Sequence, residues 1–166
     1  MPPTTGSRAK GTVGDVSIER LQDLLNTSLA TASRFTRSLE GDARTARQVE
    51  DFINATRNVT LAVVRSNGLP HAAPVIGGCV EGEIYVTVSP GSVLANCLSR
   101  SPEVAFTAAD VVHTLIGAGT AERVGRASEV PELSQRLGRA SPFGSFAPEG
   151  WDGFLFVLRP HRLFAW

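Results

Sequence analysis

The chain has 166 residues, of which 42% are hydrophobic, and this suffices for one domain whose single core depends on neither disulfides nor a metal. Its 16 basic and 16 acidic residues cancel, and like charges form no long runs. The sequence therefore carries no electrostatic surface for nucleic acid or for an anionic membrane, and we expect neither partner.

The N-terminal segment, residues 1–15, is rich in Thr, Gly and Pro and contains no apolar stretch of the kind found in a signal peptide or a membrane anchor. We predict that it is a disordered tail and that the protein is cytoplasmic. Its removal is expected to leave the fold intact, because it has little to bury.

A narrow apolar stripe follows over residues 16–41. Its members recur at alternating intervals of three and four residues, interrupted only by the polar Ser28: Ile18, Leu21, Leu25, Ala32, Phe35 and Leu39. Ser17 is placed to cap the start of a helix and Gly41 to end it, so the pattern predicts one amphipathic N-terminal helix. This stripe must cover either the rest of the domain or a partner subunit.

A second, short helix is predicted after Asp42, its N-cap, and it ends where the β-rich part of the sequence begins. Ser66-Asn67-Gly68 is predicted to be a hairpin turn, because Asn-Gly is the strongest short signal for one. The predicted strands are residues 59–65, 70–76, 83–88, 104–108, 113–124, and two closing pieces at 154–158 and 163–166.

The connections between these strands are short. Ser89-Pro90-Gly91 is a turn, and Ser92 is placed to cap a short helix through Leu98. Another helix is predicted at residues 129–137 and an irregular loop at 141–153. Most connections are too short for parallel crossovers, so the pattern predicts a mainly β, antiparallel small barrel with short helices.

The residues that most often bind metals are scattered. Cys79 and Cys97 are not in a spacing typical of a metal or redox site, and His71, His113 and His161 have no carboxylate at helical ligand spacing. We therefore predict no metal site. No catalytic acid or base stands out, and the catalytic residues remain unassigned.

The hairpin Leu61-Ala-Val-Val-Arg-Ser-Asn-Gly-Leu-Pro-His-Ala-Ala-Pro-Val75 resembles the opening hairpin of the pyridoxamine-phosphate-oxidase-like family, in which a Gly-X-Pro-His turn joins two strands. The resemblance extends from residue 45 to residue 166. It implies a six-stranded antiparallel split β-barrel of the α+β class, with a flavin-binding domain at residues 42–166 and residues 16–41 as a helical extension.

In that family the barrel dimerises and holds two flavin nucleotides in grooves between subunits. The resemblance implies that the flavin ring lies along residues 71–76. The residues so assigned to cofactor binding are His71, Pro74, Val75, Ile76, Thr87, Ser89, Ser92 and Trp166. Pro74, Val75 and Ile76 would meet the ring through backbone groups, and Ser89 to Ser92 would meet the phosphate, where a helix start favours an anion.

Three of these assignments have a structural alternative. His71 either meets the ring or is a surface residue of the hairpin, and Ser92 caps its helix whether or not it also meets phosphate. Trp166 is expected beside the groove, with packing in a core or interface as the alternative, whereas Trp151, in the predicted loop, is not expected to contact the cofactor.

The sequence departs from the family where the phosphate would bind. Relatives usually have Lys or Arg after the serine of the turn, but this chain has Val93 and Leu94. Without these charges a phosphate would be bound more weakly, and Arg65 and Arg100 are candidate replacements.

The resemblance implies a homodimeric oxidoreductase that uses FMN, or a deazaflavin, to pass a hydride to or from a small organic substrate. The missing cations favour the alternative, a barrel that holds haem or an apolar metabolite in the same groove. A biosynthetic enzyme that needs no cofactor stays open as well.

Overall fold

Six strands close into an antiparallel barrel in the computed structural model, which describes residues 13–39, 41 and 43–166. The helices are α1 (Val13–Ala30), α2 (Arg34–Arg37), α3 (Ala46–Thr56), α4 (Val93–Leu98) and α5 (Pro131–Ala140). The strands are β1 (Asn58–Val64), β2 (Pro70–Val80), β3 (Glu83–Val88), β4 (Glu103–Ala109), β5 (Thr114–Arg126) and β6 (Phe154–Ala165).

The strand order around the barrel is β1-β2-β3-β6-β5-β4, and β4 pairs with β1 to close it. All neighbours are antiparallel. The predicted six-stranded antiparallel fold with short flanking helices is therefore confirmed. The two predicted closing pieces are one strand, β6, in which Pro160 lies at a register shift opposite Gly119, a position where a proline is tolerated.

The N-terminal region differs from the single predicted helix over residues 16–41. Ser17 lies inside α1, which begins at Val13, and α1 ends at Ala30. Ser33 then adopts an extended conformation and its side chain accepts a hydrogen bond from the Thr36 amide, which starts the separate helix α2. Phe35 is consequently 75% exposed and leaves the buried stripe.

Two further N-terminal predictions fall wholly or partly outside the residues that the structure describes. Asp42 and residues 1–12 of the predicted tail lie outside them, while residues 13–15 belong to α1. The cap of α3 is Thr45, which forms a capping box with Gln48.

Two apolar clusters stabilise the fold. The first fills the barrel and is closed by α1, α3 and α4, which contribute Leu21, Ile53 and Leu94. The second lies on the outer face of β3 and β6, where Tyr85 and Val157 pack under α5 and the 141–153 segment. The barrel wall between β2 and β3 is thus covered from outside by a loop.

A half-buried arginine contacts that loop. Arg57, at the end of α3, donates a hydrogen bond from Nη2 to the Phe146 carbonyl oxygen. Its guanidinium lies over the rings of Phe143 and Phe146, at 5.3 and 5.9 Å from their centroids. No helix in the described part of the chain combines the length and the apolar character of a membrane span.

Candidate functional site

The barrel splits where β2 and β3 separate. Their ladder runs from Val80↔Glu83 to Gly77↔Val86 and stops there, while residues 70–76 of β2 pair only with β1 among the described strands. The Gly77 amide donates to the Arg57 carbonyl oxygen beside β1, so the backbone groups of Ile76 point to the other side. Backbone groups of successive strand residues point to opposite edges of the strand. The backbone groups of Pro74 and Ala72 therefore face the same side as those of Ile76, towards the gap between β2 and β3.

One side chain ends the ladder. The Ile76 amide donates a hydrogen bond to Thr87 Oγ1 at 3.2 Å, and Thr87 is buried. The next position along this edge is Pro74, which has no N–H, as is typical of prolines on strand edges. The edge therefore offers three carbonyl oxygens, those of Ile76, Pro74 and Ala72, and one N–H group, that of Ala72.

The gap opens into a cleft of about 360 Å³. Seven of the eight predicted site residues line it: His71, Pro74, Val75, Ile76, Thr87, Ser89 and Ser92. Ala73, Val88, Val93, Leu94, Pro148 and Trp151 complete the lining. The volume lies at the lower end of the range of roughly 300–1,000 Å³ that is usual for small-molecule sites.

Trp166, the eighth predicted site residue, does not line this cleft. Its amide and carbonyl pair with Thr114 at the start of β5, and its side chain lines a different cavity, beside α1. The expectation that the final strand runs beside the hairpin is wrong, because β6 pairs with β3 and β5.

The tryptophan that lines the cleft is Trp151, which we did not expect there. It belongs to the 141–153 segment, which folds back over the outer apolar cluster. No local pattern marks it, since an irregular loop carries no periodicity from which its position could be read.

The turn after β3 has the predicted capping geometry. Ser92 Oγ accepts a hydrogen bond from the Ala95 amide at 3.1 Å, which makes Ser92 the N-cap of α4. Gly91 has a φ of +76°, a left-handed conformation that glycine adopts without strain. Val93 is 39% exposed, whereas Leu94 is buried in the core.

No Lys, Arg, Asp or Glu lines the cleft among the described residues. Arg65 is near, since its Nη2 lies 3.1 Å from His71 Nδ1, but Arg65 and Arg100 line a separate cavity with Cys97. An arginine only donates, so His71 Nδ1 accepts, and the neutral ring carries its proton on Nε2. His71 thereby offers one N–H donor.

Two other arginines approach from β5. The guanidinium of Arg123 lies 3.8 Å from the centroid of Phe154, and that of Arg126 lies 5.0 Å from it. Phe154 pairs with Val88, the residue that precedes the turn. These cations are thus next to the strand end that leads to Ser89, a proximity that the sequence separation of over thirty residues conceals.

The groups with shifted pKa values lie outside the cleft. Burial, followed by the negative charge of Glu50, raises the pKa of Cys79 well above its ordinary value, so this thiol is unreactive. Burial and the hydrogen bond to Glu83 raise the pKa of Tyr85. Among the described residues, no cluster of three His, Cys, Asp or Glu side chains is arranged to hold a metal.

The lining fits the ring system of a flavin better than it fits a phosphate. Ile76, Val93 and Trp151 supply apolar surface for a flat heteroaromatic ring, and the free β2 edge supplies polar backbone groups for the ring's heteroatoms. The phosphate end has the Ser89 and Ser92 hydroxyls without a charged lining residue among those described.

No protein-family model matches the chain, and no curated protein sequence matches it. Its fold is similar to that of a conserved hypothetical protein from Mycobacterium tuberculosis, 24% identical, with a TM-score of 0.59 over 74% of this chain and 84% of that one. A heme binding protein from Mycobacterium smegmatis is 24% identical, with a TM-score of 0.54 over 72% of this chain and 53% of that one. An FAD binding protein from the same species is 14% identical, with a TM-score of 0.54 over 75% and 95%. These likenesses show the fold.

Proposed function

We propose that this chain binds a flavin nucleotide, FMN or a deazaflavin, in the cleft between β2, β3 and α4, and is an oxidoreductase for a small organic substrate. The observation that carries the proposal is the free edge of β2, residues 70–76, which faces a cleft with apolar walls. The similarity of the barrel to that of an FAD binding protein supports it.

Different residues of the cleft would bind the ring and the phosphate of the flavin nucleotide. One of the carbonyl oxygens of Pro74 and Ile76 would accept from the single N–H group at the polar edge of the ring, and His71 Nε2–H would donate to a ring oxygen. The Ser92 hydroxyl already accepts from Ala95, so its proton remains free to donate to phosphate. Trp151 lines the cleft and would exclude water from one side of the ring.

A bound flavin supplies the hydride chemistry, and the protein supplies binding, orientation and exclusion of water. The absence of a carboxylate, lysine or arginine from the described lining agrees with this division, since the described residues bring His71 alone as a titratable group. We therefore assign no catalytic acid or base.

The working unit that we propose is a homodimer with the cofactor groove between subunits. An outward row of small side chains crosses three strands, Ala62 on β1, Ala105 on β4 and Ala118 on β5, and Ile116 beside it is 44% exposed. A face of small side chains allows two sheets to approach closely. Ala105→Arg is expected to yield a monomer that also loses flavin affinity, whereas Glu132→Arg on α5 should leave both unchanged, as measured by light scattering and titration.

The second candidate is a binding protein for haem or an apolar metabolite. The lack of charged residues in the described lining and the similarity to a heme binding protein favour it. The absorption spectrum of freshly purified protein separates the candidates. Flavin or deazaflavin bands support the first, a Soret band supports the second, and a spectrum without bands combined with no FMN binding by calorimetry contradicts the first.

A further inference from the structure

A second cleft, of about 520 Å³, lies between α5 and the 141–153 segment. Its walls include Pro131 and Ser134 on one side and Phe146 and Leu155 on the other. It shares Pro148 and Trp151 with the cofactor cleft, so the two spaces are separated by a single indole and a proline ring.

Contacts of the two residues that follow Trp151 position its indole. A Cβ at Gly153 would lie 2.1 Å from Trp151 Cζ2, so the indole lies directly against the Gly153 backbone. The residue between them, Asp152, accepts from the Ser128 amide at 2.9 Å, and its carbonyl accepts from Arg126 Nη1 at 3.0 Å. These contacts hold the backbone beside Trp151, where the two clefts adjoin.

The charge of the second cleft restricts its ligand. Asp152 is the one charged side chain among the described residues that line it. The hydrogen bonds from Ser128 lower the pKa of Asp152, so it is ionised at neutral pH. Ser134 and Gln135 add neutral polar groups. An anion would meet a carboxylate with no cation in the described lining, while an aromatic molecule would meet Phe146 and Trp151.

We propose that this second cleft binds an uncharged, predominantly aromatic ligand, distinct from the substrate that exchanges a hydride with the cofactor, because Trp151 lies between the two clefts. The inference goes beyond the proposed function, which concerns the cofactor cleft. The existence and charge preference of the ligand site do not depend on it.

The test uses two probes of similar shape, neutral 2-naphthol and anionic naphthalene-2-carboxylate, with the full chain in equilibrium dialysis at neutral pH. We expect 2-naphthol to bind about tenfold or more tightly than the carboxylate, because the carboxylate would lose its hydration without gaining a cation. Ser134→Phe fills the second cleft and should abolish 2-naphthol binding while FMN affinity stays unchanged. Ala147→Phe fills it from the loop side and serves if Ser134→Phe does not fold.

Ser89→Phe is the matched control, because the exposed Ser89 lines the cofactor cleft and does not line the second cleft. It should abolish FMN binding and retain 2-naphthol binding. The inference is overturned if the filled variants bind 2-naphthol like the wild type or if both probes bind equally. If the wild type binds 2-naphthol and no flavin, the proposed function fails and the ligand site stands, whereas the opposite result removes the ligand site and leaves the proposed function intact.

Discussion

The Ile76 amide donates a hydrogen bond to Thr87 Oγ1 at 3.2 Å, at the place where β2 and β3 cease to pair. This contact satisfies an amide that would otherwise have no strand partner beside the cleft. A threonine side chain thus replaces a backbone partner and lets the barrel open without loss of that hydrogen bond.

Thr87→Val should therefore destabilise the protein. The substitution keeps the shape of the side chain but leaves the Ile76 amide without an acceptor, which costs about 1–3 kcal/mol of the free energy of unfolding. Urea denaturation measures it, and Thr87→Ser, which keeps the hydroxyl, should lose much less. Equal stability of Thr87→Val and the wild type would mean that another group or water serves this amide.

Trp151, and not Trp166, should govern the optical properties of bound flavin. An indole beside the ring quenches flavin emission and contributes about 0.5–1.5 kcal/mol beyond burial. Trp151→Leu should brighten emission and weaken FMN binding by roughly two- to tenfold. Trp166→Leu is the matched control, and a response of that variant instead would restore the expectation drawn from the sequence, with Trp166 reaching the groove through the dimer.

Val93→Arg should strengthen FMN binding. Val93 lines the cleft and is partly exposed at the first position of α4, so an arginine there can place its charge by the phosphate. A charge-assisted hydrogen bond of about 1.5 kcal/mol corresponds to roughly a tenfold gain. Calorimetry with FMN and with riboflavin isolates the effect, since riboflavin has no phosphate and should bind both proteins alike. A gain with both ligands, or with Val93→Gln, would place the phosphate elsewhere.

Asp110 should contribute to the acid sensitivity of the fold. Its carboxylate accepts hydrogen bonds from the His113 ring and from the His113 and Val112 amides, which lower its pKa from 3.8 to about 2. Since the folded-state pKa is below the ordinary value, this stabilisation is present above about pH 4 and is lost as pH falls through about 2.

A comparison of the wild type with Asp110→Asn tests whether this stabilisation is lost as the pH falls. The difference in Tm between the wild type and the variant should shrink as the pH falls from about 4 to 2. A difference that stays constant to pH 2 would show that Asp110 titrates alike in the folded and unfolded chains.

Local chemistry determined much of the fold from the sequence alone. Asn67-Gly68 marks the hairpin because few residue pairs adopt its turn, and Ser92 marks the start of α4 because its hydroxyl accepts from an amide three residues away. Both signals act within a few residues, so they can be read without knowing what packs against them. With the resemblance, they also placed seven residues that prove to share one cleft.

Tertiary structure alone decided the rest. Trp166 does not line the cleft, because β6 pairs with β3 and β5. Trp151 lines the cleft because the 141–153 segment, to which Arg57 donates a hydrogen bond, folds back over the barrel. These placements depend on pairings and packing between distant residues, whose energies are set by the closed barrel as a whole and by no pattern within a single segment.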